Sequence, residues 1–158
     1  MMKKVKVISC LITIFVMALI FFFSSQTASV SSETSSGITK IVANIISSFI
    51  PRLSADVVYN AIHTLIRKTA HFTLFFMLGL SVANTASVVF SLKSGKLLAC
   101  SVAFCILYAI SDELHQIAIP GRAAMVGDVL IDTLGSLCAV TIYILVKNIY
   151  VRRKKNDI

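Results

Sequence analysis

Four apolar stretches, each long enough to cross a bilayer, constrain this chain more than any other feature. A hydrocarbon core of about 30 Å takes roughly 20 helical residues at about 1.5 Å each. The first stretch covers residues 7–23, behind the basic start Lys3, Lys4 and Lys6. The second covers residues 69–92, the third 97–117 and the fourth 128–146. In lipid every backbone N–H and C=O must be satisfied internally, so such segments are helices. Composition agrees: 57% of the 158 residues are apolar, 14% are charged, and the mean hydropathy is +0.89. Those values exclude both a soluble globular chain and a disordered one. The expected fold is all-α, a polytopic membrane protein with four transmembrane helices. Residues 7–146 form its membrane domain and residues 147–158 a basic tail. The first stretch reads as a retained anchor. Its apolar run is long for a signal peptide, and Ser24-Ser25-Gln26-Thr27-Ala28-Ser29 is a poor cleavage site.

The net charge of +8 comes from 15 basic and 7 acidic residues. With the N-terminus inside, the inner segments hold ten basic residues against one acid, and the outer segments hold five against six. Lys and Arg collect on the cytoplasmic side of membrane proteins. Both termini are therefore expected in the cytoplasm. The basic excess is then a membrane anchor, and nucleic acid is not an expected partner. The four cysteines, Cys10, Cys100, Cys105 and Cys138, all fall within spans. They read as small buried apolar residues rather than disulfide or metal ligands.

Between spans one and two, residues 24–37 are rich in Ser and Thr and read as irregular. Ile38, Ile41, Val42, Ile45, Ile46, Phe49 and Ile50 follow at i, i+3, i+4, i+7, i+8, i+11 and i+12, one face of a helix. Pro51 ends it, and Ser54 can cap a second helix whose stripe is Val57, Val58, Ala61, Ile62, Leu65 and Ile66. One or two amphipathic helices are thus expected on the outer face, packed over the bundle or lying in the interface. His63 reads as a surface residue of that segment.

Polar groups stand at the wrong depth in three spans. Asp112 lies about 22 Å along the third helix, still within a core of about 30 Å. Asp112, Glu113, His115 and Gln116 therefore sit in the outer leaflet. Asp112, His115 and Gln116 share a helical face. Asp128 and Asp132 are one turn apart in the fourth span, followed by the small residues Gly135, Ser136 and Ala139, which suit close helix contact. Arg67 and His71 are one turn apart where the second span opens, with Lys68 beside them. Pro120-Gly121-Arg122 makes the turn between spans three and four. Each ionisable group at such depth costs about 2.5–3.5 kcal/mol, so these groups are expected to face one another. A charged network can be a structural lock between helices. Two histidines, four carboxylates and several cations at one level point further, to a pocket.

These blocks resemble the VanZ-like family of bacterial membrane proteins. The matching residues are Phe23-Ser24-Ser25-Gln26, Ile66-Arg67-Lys68-Thr69-Ala70-His71-Phe72, Ser111-Asp112-Glu113-Leu114-His115-Gln116, Pro120-Gly121-Arg122 and the segment from Asp128 to Gly135. Two positions depart from the family pattern. Ala118 stands where an aromatic residue is often found, and Asp132 where Asn is common. The resemblance implies a four-span protein of the bacterial cytoplasmic membrane. Its namesake is associated with resistance to glycopeptides such as teicoplanin, drugs that bind lipid-linked cell-wall precursors on the outer face.

The expected partner is an envelope lipid or a lipid-linked precursor. Arg67, Lys68 and Arg122 would hold an anionic head group, with Gln116, Asp128 and Asp132 completing the binding site. His71 or His115 can move a proton, with Asp112 or Glu113 orienting it. A non-catalytic interaction protein held by a charged lock is the competing reading. A channel is disfavoured, because Asn84 is the main polar group at mid-depth. Asp112, His115 and Asp128 could ligate a divalent ion, but a salt-bridge network uses the same residues, and no metal or cofactor is expected. The orientation is testable with single cysteines at positions 35 and 157 in a background lacking the native four. An impermeant thiol reagent is expected to label position 35 in intact cells and to leave position 157 silent. The reverse pattern would move the polar cluster to the cytoplasm.

Overall fold

The computed structural model describes residues 2–49 and 55–156. Five helices and no strand are present among them: α1 (Met2–Ser24), α2 (Ala28–Phe49), α3 (Ala55–Val89), α4 (Ser94–Gln116) and α5 (Val126–Asn156). Four of these, α1, α3, α4 and α5, are long and apolar enough to cross a membrane. Their outward side chains are large and apolar, such as Phe15, Phe22, Leu107, Ile142 and Leu145. In water that surface would be untenable, and in lipid it is solvated. The interior is built from Val16, Ile20, Phe75, Leu78, Val82, Cys105 and Ala109. All four cysteines are free thiols.

Two parts of the sequence reading change. The Ser/Thr-rich segment after α1 is helical from Ala28 onward, so the break is only three residues long. Ser and Thr cost a helix only a few tenths of a kcal/mol each, and no proline interrupts residues 28–49. The second amphipathic stripe and the second span are also one continuous helix. Nothing between Ile66 and Thr69 breaks a helix, since Arg and Lys are good helix formers. At 35 residues, α3 is about 52 Å long and overruns a bilayer core by several turns. The overrun packs against α2 through Ala43, Val58 and Ile62, with Ile66 at its edge. Ile41, Ile45, Val57 and Leu65 stay exposed on this pair. The expected stop at Pro51 and cap at Ser54 lie outside the described residues.

The central pair is α3 and α5, which run parallel. Their contacts keep a nearly constant sequence offset: Arg67 with Asp128, His71 with Asp132, Phe75 with Ser136, Asn84 with Tyr143, Ser87 with Lys147. The small residues expected to allow close approach do so. A Cβ on Gly135 would stand 2.5 Å from the Phe72 carbonyl oxygen, and one on Gly79 would stand 2.7 Å from that of Ser136. Ser136 Oγ, fully buried, donates to the carbonyls of Phe75 (3.1 Å) and Asp132 (3.0 Å). In the half holding both termini, hydroxyls and one amide seam α1 to α3. Thr85 Oγ1 donates to the Ser9 carbonyl at 3.0 Å, and Asn84 Nδ2 to Ser9 Oγ at 3.0 Å. Gly135→Ala is expected to destabilise the bundle by about 1–3 kcal/mol, because two backbones must part. Gly127→Ala, with nothing near its Cβ, is expected to be neutral or stabilising. Unfolding titrations of both variants in micelles check the contrast.

Candidate functional site

The parallel register of α3 and α5 decides which charges meet. Arg67 Nη2 and Lys68 Nζ both lie 3.6 Å from Asp128, one on each carboxylate oxygen. One turn deeper, His71 Nδ1 lies 3.5 Å from Asp132 Oδ1. These separations serve charge attraction but are too long for hydrogen bonds. Accordingly, Asp128 Oδ1 and both Asp132 oxygens are buried without a hydrogen-bond donor among the described residues. Asp132 is 0% exposed. Arg67 and Lys68 remain about a third open, at 36% and 39% of their side chains.

The end of α4 supplies the other half of the site. At 100° per residue, Gln116 lies about 40° from Asp112 on the helix, whereas Glu113 and His115 fall to either side. The interior takes Asp112 and Gln116. Ser24 Oγ, from the end of α1, donates to Asp112 Oδ2 at 2.8 Å, and Gln116 Nε2 donates to the same oxygen at 3.0 Å. Gln116 is 0% exposed and its Oε1 has no donor among the described residues. Glu113 turns toward the start of α5, where Oε2 accepts the Met125 N–H at 2.7 Å. His115 turns toward α1. It stacks on Phe21 with ring centroids 4.6 Å apart, and its Nε2 is 3.1 Å from Ser25 Oγ.

Arg122 arrives from the loop. Pro120 and Gly121 occupy the middle of a turn closed by the Arg122 N–H on the Ile119 carbonyl at 3.1 Å, and Gly121 supplies the positive φ of 78° that a type II turn demands there. The guanidinium gives Nη2 to the Phe23 carbonyl at 3.4 Å, while Nε is buried without an acceptor among the described residues. Burial, and next the like charge of Arg67, lower the Arg122 pKa from its usual value, and Asp112, Glu113 and Asp128 oppose that shift. Beneath Arg122, α1 and α3 part to leave a groove of about 460 Å³. Ile20, Phe23, Leu74 and Phe75 line its apolar length, and Arg67, His71 and Arg122 stand at its polar end.

Of the ten residues singled out from sequence, Asp112, Gln116, His71 and Asp132 gather at the buried centre. Arg67, Lys68 and Asp128 form a cluster beside them, and Arg122 closes the groove. Glu113 holds a backbone amide, and His115 belongs to the α1 contact. The acid orienting His71 is Asp132, where Asp112 or Glu113 was expected. The ligand-type atoms that converge are those of His71, Asp112 and Asp132, within 4.8 Å of one another. The trio weighed from sequence, Asp112, His115 and Asp128, does not assemble, because His115 faces Phe21 and Asp128 faces Arg67 and Lys68. Sequence reasoning did not give Ser24 its role as a buried donor, although its place in a span-ending polar run was a signal. The Met125 amide carried no signal at all.

No curated protein and no solved structure matches the chain. A family model described as VanZ/LLP1 matches residues 9–147. That match takes in α3 and α4 whole, most of α1 and α5, and every residue of the polar centre, and the chain belongs to the VanZ/LLP1 family.

Proposed function

We propose that this protein binds an anionic envelope lipid or lipid-linked cell-wall precursor, with the lipid chain in the groove between α1 and α3 and the phosphate at Arg67 and Arg122. The observation that carries this reading is the groove itself. Its walls are apolar, its polar end is cationic, and it lies between two helices long and apolar enough to cross a membrane. Among the described residues the Arg122 guanidinium makes a single hydrogen bond, a 3.4 Å contact from Nη2 to the Phe23 carbonyl, and so has donors to spare for phosphate oxygens. Lys68 adds positive charge at the same end. With both termini in the cytoplasm of a bacterial cell, the groove opens to the outer leaflet, where lipid-linked precursors are displayed. Binding there would lower susceptibility to glycopeptides that target such precursors. His71, held by Asp132, is the candidate proton carrier if the bound head group reacts.

The competing reading is that the α3–α5 charge pairs only lock helices together. The two readings part on one measurement. Breaking a buried ion pair costs several kcal/mol, and a lock that loses it loses protein. Arg122 makes no carboxylate pair among the described residues, so Arg122→Gln is expected to keep membrane abundance. Its co-purifying anionic lipid, read by mass spectrometry of the extract, is expected to fall about tenfold or more, the worth of one charged hydrogen bond. Lys40→Gln, on α2, is expected to change neither quantity. Wild-type protein that carries no anionic lipid above its neighbours in the bilayer would refute the reading.

A further inference from the structure

We propose that His71, Asp112 and Asp132 hold a first-row divalent cation at the centre of the bundle. The inference needs no occupant in the groove and stands apart from the lipid reading.

Charge is the first argument. Asp112 and Asp132 are both buried, at 4% and 0% exposure. Among the described residues neither has a Lys or Arg within ion-pairing distance, because Arg67 and Lys68 are both taken by Asp128. A single imidazole faces two carboxylates. Leaving a buried carboxylate uncompensated is among the costliest arrangements a protein can hold. A dication with a neutral His71 balances the pair.

Geometry is the second argument. The 3.5 Å between His71 Nδ1 and Asp132 Oδ1 is too long for a hydrogen bond. Two atoms bound at about 2.1 Å in tetrahedral directions to one ion stand about 3.4 Å apart. The His71–Asp132 separation fits ligands of a shared ion, and the trio, within 4.8 Å, closes on that ion by a small inward shift of Asp112, since two ligands at about 2.1 Å stand no more than about 4.2 Å apart. Both Asp132 oxygens lack donors, although this side chain is wholly enclosed. An enclosed carboxylate with four unused lone pairs is an acceptor waiting for a partner that the polypeptide does not supply.

The surroundings are the third argument. Metal ligands are held in place by outer hydrogen bonds. Ser24 Oγ and Gln116 Nε2 both donate to Asp112 Oδ2, which fixes that carboxylate and leaves Oδ1 for the ion. The Gln116 amide, committed by that bond, keeps a buried Oε1 without a donor at the edge of the trio. One imidazole nitrogen and carboxylate oxygens select ions such as Zn²⁺, Mn²⁺ or Co²⁺ over Ca²⁺ and Mg²⁺, which prefer oxygen alone.

The full chain in nanodiscs, stripped with a chelator, provides the test, with Co²⁺ as the probe. Saturable binding of about one equivalent is expected, with visible d–d bands of nitrogen and oxygen ligands. His71→Gln and Asp132→Asn are expected to abolish those bands. Ser24→Ala, acting only through Asp112, is expected to weaken Co²⁺ about 10–100-fold without changing the band positions. Lys40→Gln, on α2, is expected to bind as the wild type does. If Asp132→Asn does not accumulate as a monodisperse species, His71→Gln decides, since it keeps a polar side chain of similar reach. Absence of saturable binding overturns the proposal. So does a thiolate charge-transfer band, which would assign the ion to cysteine, and so does undiminished binding by His71→Gln.

Discussion

The close parallel contact of α3 and α5 is the constraint on which the site depends. Two glycines on facing helices let the backbones meet, and Ser136 bonds across the seam. That contact fixes the longitudinal register, and the register fixes the chemistry. A slip of one turn would set Arg67 against Asp132 and leave His71 against Ser136. The charge pairs therefore follow from steric fit lower in the bundle. This order suits a membrane, where apolar side chains gain little by meeting one another and close packing of small residues carries association.

The two ends of the bundle use different polar groups, and the difference has a physical reason. The half holding the termini is seamed by Ser9, Thr13, Thr85 and Asn84. A hydroxyl can always fall back on a carbonyl of its own helix, as Thr13 does with the Ser9 carbonyl at 3.2 Å. Such groups tolerate burial without a partner on another chain segment. Carboxylates have no such fallback, because they only accept when ionised. Concentrating them at the other end makes that end dependent on what its neighbours donate.

Much of this architecture was legible in the sequence. The apolar runs gave four crossing helices, because the length a bilayer demands leaves no other reading. The run of Gly135, Ser136 and Ala139 marked one side of the tight contact, but Gly79 did not announce itself as the other. Which acid meets which base was not legible, since that depends on a longitudinal register that only the packed helices set. Periodicity put Asp112, His115 and Gln116 on one face. A face spanning about 100° is wide enough to be divided, and α1 divides it, taking His115 onto Phe21 while the interior keeps the other two. The Ser/Thr run before Gly37 looked irregular on composition alone. Without a proline it simply extends α2.

The distribution of charge argues against a purely structural role for the cluster. A lock works best when each buried charge has its own opposite. Here Arg67 and Lys68 converge on one carboxylate, Asp128, and remain partly open. Arg122 bonds to a neutral carbonyl, that of Phe23. Asp112 and Asp132, both buried, share one imidazole. Cationic capacity therefore accumulates at the groove mouth, and anionic capacity accumulates in the centre. Evenly paired charges would have cost less to bury, because each would have met its partner at hydrogen-bonding distance. Separation of the two signs over a few ångströms leaves one place suited to an anion and, beside it, one suited to a cation. That arrangement is costly for a fold alone and suits a site that takes both.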